Sequence, residues 1–265
     1  MIDGMLVIDA HCHIGESKVE RNGVRRFTAE DLLARMDRNG VDRAVVCHLI
    51  FPLWEPEEFV RGNDLVVEAV RRYPDRLRGL VVVNPKHGHF AEEEARRGLS
   101  AGLVGIKIQP AMHGYYPVDG ALLEPIMQVA SEAKVPLVTH SDYNAKCCTP
   151  YQVVRLAARW PDVKVVLLHL GQDPESVAHT PDVVKDTPNV VVETSNAPDY
   201  PYAVYVNPVR QLGPDRVLFG SDGPIVSVEA NLAKLRAAEE TYGLTREEKR
   251  WILGGSAARL FDWWG

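Results

Sequence analysis

Apolar residues along this chain gather into short unbroken runs, with segments of helical periodicity between them. The first run, Leu6-Val7-Ile8, leads through Asp9-Ala10 into His11-Cys12-His13. The others are Ala44-Val45-Val46-Cys47-His48, Leu80-Val81-Val82-Val83, Val104-Gly105-Ile106-Lys107-Ile108 and Val135-Pro136-Leu137-Val138-Thr139-His140, followed by Val165-Val166-Leu167-Leu168-His169, Val190-Val191-Val192-Glu193 and Val217-Leu218-Phe219-Gly220. Short valine- and isoleucine-rich runs without polar alternation predict strands buried on both faces, as in parallel sheets. Pro136 is compatible because proline is tolerated near the beginning of a strand.

The intervening segments predict helices. Thr28 caps the first, Glu30 and Asp31 suit its N-terminus, Leu32, Leu33 and Met36 recur at helical spacing, and Asn39-Gly40 ends it. Further helices are predicted from about Pro56 to Tyr73, Ala91 to Leu99, Leu122 to Ala133, Thr149-Pro150 to Trp160 and Val228 to Tyr242, with a last one opening at Thr245 and ending near Phe261. Gly15 to Arg26 reads as a loop, Gln172 to Asp186 is poorly periodic with room for a short helix, and Val206 to Leu212 is a second short helix.

Eight strand–helix units in 265 residues match an α/β fold of the (β/α)8 TIM barrel type, which takes ~250 residues. No Pro/Gly/Ser-rich linker divides the chain, so residues 1–265 are expected to form a single domain with an extra helix at the C-terminal end. An open doubly wound sheet is the competing architecture; its usual Gly-rich first turn is absent after the first strand.

Composition narrows the function classes. The chain is 46% hydrophobic and 25% charged, within the globular range, and its formal charge of -6 argues against nucleic acid as a partner. No apolar run is long enough to span a membrane, and the N-terminus lacks the pattern of a signal peptide. The four cysteines, Cys12, Cys47, Cys147 and Cys148, form no C-x-x-C pair and read as reduced thiols of a cytoplasmic protein. Trp263-Trp264 is read as covering a hydrophobic surface or joining a subunit contact, which leaves a homo-oligomer open.

The chemistry lies where the strands end. Residues two apart on a strand point to the same face, so His11 and His13 aim two imidazoles at one point, which suits a divalent metal, zinc above all. His48, Lys107, His140, His169, Glu193 and Asp222 also sit at or just after strand ends. In a barrel the C-terminal strand ends form one rim, where active sites are found. On the fourth strand Lys107 alternates with Ile106 and Ile108, so it faces the barrel mouth, where an ammonium can hold a substrate carboxylate. His48, Gln109, Tyr143 and Asn196 are further candidates for substrate contact, and Glu193 is a candidate for orienting a histidine.

Four stretches, Ile8-Asp9-Ala10-His11-Cys12-His13, Gly105-Ile106-Lys107-Ile108-Gln109-Pro110, Leu168-His169-Leu170-Gly171 and Leu218-Phe219-Gly220-Ser221-Asp222-Gly223-Pro224, taken in this order, resemble the amidohydrolase superfamily. More narrowly, the chain is similar to the amidohydrolase-related metal-dependent hydrolases, a group that includes aminocarboxymuconate semialdehyde decarboxylase and the resorcylate decarboxylases. The resemblance implies one divalent metal ion, with His11, His13 and His140 as ligands and Asp222 as a fourth. It places His169 beside the bound water or substrate as a catalytic group, with Asp222 able to take the water's proton. Some relatives carry a carboxylated lysine on the fourth strand bridging two metals; here an ordinary ammonium at Lys107 and one metal, zinc, are expected.

Two activities on a small-molecule substrate follow. The first, which the residues favour narrowly, is hydrolysis of an amide, ester or lactone bond of a carboxylated molecule by a metal-activated water. The alternative is non-oxidative decarboxylation of an aromatic or unsaturated acid, with Lys107 and the arginines Arg21, Arg25 and Arg26 as sources of positive charge. A non-catalytic metal-binding protein is the third reading, and an intact set of water-activating ligands argues against it.

Overall fold

The computed structural model describes residues 1–21, 23–49 and 55–263. Its strands are β1 (Ile8–Arg21), β2 (Val24–Phe27), β3 (Arg43–His48), β4 (Leu77–Gly79), β5 (Val81–Val82), β6 (Ile106–Ile108), β7 (Leu137–Thr139), β8 (Val165–Leu167), β9 (Val190–Glu193) and β10 (Val217–Leu218). They form two hydrogen-bonded sets, β2-β1-β3-β4 and β10-β9-β8-β7-β6-β5, in which every pairing except β1–β2 is parallel.

Two seams close these sets into a barrel. At one, Leu80 N–H donates to Val46 O at 2.9 Å, which makes β4 and β5 one barrel strand interrupted at Leu80. At the other, Ala10 N–H donates to Phe219 O at 2.9 Å and His13 N–H to Gly223 O at 2.6 Å, joining β1 to the segment after β10. Eight barrel positions result, as the pattern of apolar runs predicts.

The helices are α1 (Ala29–Asn39), α2 (Pro56–Arg72), α3 (His89–Ser100), α4 (Glu124–Ala133), α5 (Pro150–Arg159), α6 (Pro174–Val184), α7 (Asn207–Leu212), α8 (Val228–Tyr242), α9 (Arg246–Arg250) and α10 (Ser256–Leu260). Thr28 and Asp31 make the reciprocal cap of α1, and Gly40 ends that helix in the left-handed conformation, φ 67°. Alternate strand residues face outward: Val46, Ile106, Ile108, Leu137, Val165 and Val192 pack on Met36, Val66, Ala95, Met127, Leu156 and other helix residues. Each buried aliphatic side chain of this kind contributes about 1.5–3 kcal/mol. The inward set, including Ile8, Val45, Leu80, Val138, Val166 and Leu218, meets Ala257, Ala258, Phe261 and Trp263. Trp263 lies under the guanidinium groups of Arg43 and Arg78, near the start of β3 and β4. It therefore covers apolar surface of its own chain; Trp264 lies outside the described residues.

The structure departs from the expected elements in two places and, in a third, forms the helix for which the sequence left room. Where a loop from Gly15 to Arg26 is expected, β1 runs on to Arg21 and pairs antiparallel with β2. The poorly periodic segment holds an eleven-residue helix, α6, despite Pro181 inside it. The last helix is broken into α9 and α10 by a wider turn at Trp251–Gly255, where a Cβ on Gly254 would meet the Leu6 carbonyl oxygen at 2.4 Å. Among the described residues no helix is long and apolar enough to cross a membrane.

Candidate metal centre at the barrel mouth

His11 and His13 come from β1, whose register against β3 shifts between Asp9 and Cys12. Their rings meet edge to face with centroids 4.7 Å apart. Asp222 follows β10 and holds a left-handed backbone, φ 58°. Its N–H donates to His11 O at 2.8 Å, which brings its carboxylate over the histidine pair. Asp222 Oδ1 is 3.3 Å from His11 Nε2 and 3.1 Å from His13 Nε2. His169, directly after β8, also has a left-handed backbone, φ 64°, and one donor atom each from His11, His169 and Asp222 lie within 4.8 Å of one another.

The bonds made by His13 test whether these residues fit a cation. Its Nδ1 is 3.2 Å from the His48 carbonyl oxygen and its Nε2 faces Asp222. A neutral imidazole has one N–H, so both nitrogens face acceptors and one contact lacks a positive partner. Burial opposes charge on His13, but Cys47 and Asp222 beside it more than offset that, and its pKa rises to about 10. Asp222 is held well below the usual carboxylate range, since hydrogen bonds from His11 and His13 outweigh its burial. A proton thus occupies the place that suits a metal. Donor atoms around a tetrahedral ion with ~2.1 Å bonds lie ~3.4 Å apart, and the contacts to Asp222 have that spacing. Imidazole and carboxylate together fit a divalent ion, and this is the ligand chemistry of the site.

A buried chain of polar groups aims His169. Glu193, at the end of β9, accepts from Ser195 N–H at 2.6 Å, Ser195 Oγ–H at 2.8 Å and His169 N–H at 3.3 Å. Ser195 Oγ, its hydrogen committed to Glu193, accepts from His169 Nδ1–H at 3.0 Å. That proton placement leaves the Nε2 lone pair of His169 for the cavity. Burial pulls the His169 pKa down to about 3 and pushes Glu193 up to about 7. Gly220 makes room for this arrangement: a Cβ there would lie 2.1 Å from Glu193 Oε1.

A cavity of about 170 Å³ opens over the cluster. His11, His13, His140, His169 and Asp222 line it with Lys107, Gln109, Asn196, Ala111, Met112, Asp142, Gln172 and Ile225. Lys107 is 1% exposed and faces the cavity between the outward Ile106 and Ile108, and no carboxylate lies within 4.0 Å of its ammonium among the described residues. Burial lowers its pKa. Gln109 Oε1 is buried without a hydrogen-bond partner among the described residues.

Of the residues singled out from sequence, His11, His13, His140, His169, Asp222, Lys107, Gln109 and Asn196 are thus brought together. His140 lies in the cavity wall with its ring 5.0 Å from that of His169, outside the tighter donor groups. His48 is turned to the outer face of β3, against Gly62 of α2 and Gly15. Tyr143 is 47% exposed, against Tyr151, and is not in the cavity wall. Arg25 and Arg26 are exposed on β2; the side chain of Arg21 lies outside the described ones. Sequence reasoning missed Met112, Asp142, Gln172 and Ile225, which sit in loops with no periodic signal, and Ser195, whose only mark is its place two residues after Glu193. It also passed over Cys47, whose Sγ is 3.3 Å from His13 Nδ1. Burial pushes that thiol up, but His13 and His11 beside it more than offset this, and its pKa falls to about 5. All four cysteines are buried free thiols.

The sequence profile of the amidohydrolase family matches residues 8–263. A sequence search among curated proteins finds no match. Solved structures share the fold at low identity. 2,6-Dihydroxybenzoate decarboxylase from Rhizobium superimposes with a TM-score of 0.78 at 18% identity, covering 99% of each chain. 5-Carboxyvanillate decarboxylase from Novosphingobium aromaticivorans, complexed with manganese and 4-hydroxy-3-methoxy-5-nitrobenzoic acid, gives 0.77 at 19% identity over 98% of this chain and 96% of that one. A probable 2-pyrone-4,6-dicarboxylic acid hydrolase from Acinetobacter baumannii, with citric acid bound, gives 0.74 at 17% identity over 97% and 100%.

Proposed function

The chain belongs to the amidohydrolase family, and on that premise we propose that it is a metal-dependent carboxy-lyase, releasing carbon dioxide without oxidation from a small aromatic or unsaturated acid. The observation that carries this reading is Lys107: a buried ammonium in the same small cavity as the imidazole and carboxylate donors, with no carboxylate of the protein within 4.0 Å among the described residues. A substrate carboxylate would give this ammonium a partner at contact distance. The order of the two readings drawn from sequence is thereby reversed, and the solved decarboxylases of the same fold support the reversal.

His11, His13, His140 and Asp222 would hold the ion. We take it to be zinc, because imidazoles outnumber carboxylates in that set. When bound, a divalent ion polarises a substrate oxygen and lowers the pKa of bound water. Lys107 binds and orients the carboxylate to be lost. His169, fixed at Nδ1 by Ser195, takes a proton from solvent at its Nε2 lone pair and passes it to the carbon that carbon dioxide leaves. Met112 and Ile225 give the cavity part of its apolar wall. The second reading, hydrolysis, uses the same residues, with Asp222 taking a proton from water; the hydrolase among the similar folds favours keeping it in the test.

Purified protein incubated with carboxylated phenols, unsaturated acids, lactones and amides tests the choice. The proposal expects carbon dioxide from at least one acid. Hydrolysis products alone would overturn it.

A further inference from the structure

Cys47 stands beside the metal-binding histidines with no part in the proposed decarboxylation. It lies on β3 in register with His13 of β1, and it belongs to the inward-facing set with Val45. One donor atom each from His11, His13 and Cys47 lie within 4.8 Å of one another, and all three residues are buried. His11 is common to this group and to the group with His169 and Asp222. Its Nδ1 is buried and has no hydrogen-bond partner among the described residues.

Asp222 and Cys47 face different nitrogens of the His13 ring. Nε2 faces Asp222 Oδ1 at 3.1 Å, whereas Nδ1 faces Cys47 Sγ at 3.3 Å. A ring nitrogen offers either a proton or a lone pair. With the proton on Nδ1, bonded to the His48 carbonyl oxygen at 3.2 Å, the ring presents Nε2 to an ion beside a carboxylate. With the proton removed from Nδ1, the ring presents that nitrogen to an ion beside sulfur. Carboxylate suits hard ions such as manganese; thiolate selects soft ones.

We propose that Cys47 gives this site a second metal-binding mode, in which its thiolate, His11 and His13 hold a thiophilic divalent ion such as cadmium. The sulfur–metal bond replaces the S–H bond, and the thiol proton leaves to solvent. In this mode the ring proton sits on Nε2 and donates to Asp222, so His13 has no lone pair for an ion beside that carboxylate, and cadmium occupies the site without building the working arrangement. The inference rests on reading the histidine–aspartate cluster as a metal site.

Cadmium and manganese are each titrated into the purified full-length protein, and ultraviolet absorption from sulfur-to-cadmium charge transfer is recorded. The same is done for Cys47→Ser, Cys47→Ala and the double variant Cys147→Ser/Cys148→Ser, which removes the other thiol pair. The expected result is a charge-transfer band in the native protein and in the double variant, lost in both Cys47 variants. Cadmium affinity should fall at least ~10-fold in those variants, with manganese affinity unchanged. A native protein that binds manganese but shows no sulfur band overturns this inference alone. A band that survives in the Cys47 variants, or vanishes in the double variant, also overturns it. If the Cys47 variants do not fold, the native and double-variant spectra still decide. Binding of neither ion removes this inference together with the metal-site reading.

Discussion

Asp9 accepts two hydrogen bonds from Ser221 across the seam of the barrel, one from its N–H at 2.9 Å and one from its hydroxyl at 2.5 Å. Asp9 Oδ1 also accepts from His11 N–H at 3.2 Å. One buried carboxylate therefore fixes the backbone of a histidine of the proposed metal site and the turn that presents Asp222. Asp9→Ala leaves buried donors without acceptors, and each costs about 1–3 kcal/mol. We expect Asp9→Ala to lower the unfolding free energy by about 2–4 kcal/mol and to weaken metal binding by ~10–100-fold. Denaturant unfolding and metal titration check both values, and unchanged stability would contradict this role.

His11 and His169 separate metal binding from proton transfer. His11→Asn should empty the site. His169→Asn should keep the fold and the metal while the rate falls by ~10²–10⁴. Metal content and turnover are measured on the same preparations. If His169→Asn loses metal as fully as His11→Asn does, His169 is a ligand, a role its place in the donor group with Asp222 would then explain.

Ser195 is a positioning residue. Ser195→Ala removes the hydroxyl that accepts from His169 Nδ1–H, and loss of such a partner costs ~10–100-fold. The loss should appear in kcat with little change in KM or metal content, and Ser195→Thr should restore part of it. A change confined to KM would show that Ser195 acts on the substrate.

How far the chain discloses this site depends on which residues carry an unmistakable signal. His11, His13, Lys107, His140, His169 and Asp222 each interrupt or end an apolar run, so strand geometry alone sends them to one rim. His48 shows where that reasoning fails. An imidazole at a strand end attracts notice, but the pleat of β3 turns His48 outward and its neighbour Cys47 inward. The polar sequence of β1 and β2 hides their hairpin, although Asn22-Gly23 is a strong two-residue turn signal. Ser195 and Asp142 cannot be found from pattern, because their roles come from loop backbone geometry.

Lys107 should govern affinity for carboxylated molecules. A hydrogen bond to a charged group is worth about 1.5–3 kcal/mol. Lys107→Met should therefore raise KM for an acid by ~10–100-fold. It should leave binding of the corresponding neutral ester unchanged. Equal losses for acid and ester would place Lys107 in the structure rather than in recognition.

The central claim, that this site breaks a carbon–carboxylate bond, is tested most directly by isotopes. A turned-over substrate is incubated in deuterium oxide enriched in oxygen-18, and the organic product is examined by NMR and mass spectrometry. Decarboxylation places a deuteron on the carbon that carried the carboxylate and adds no oxygen-18 to the product. A product with one oxygen-18 and no carbon-bound deuterium would mean that water attacked an acyl bond, and would contradict a carboxy-lyase reaction at this site.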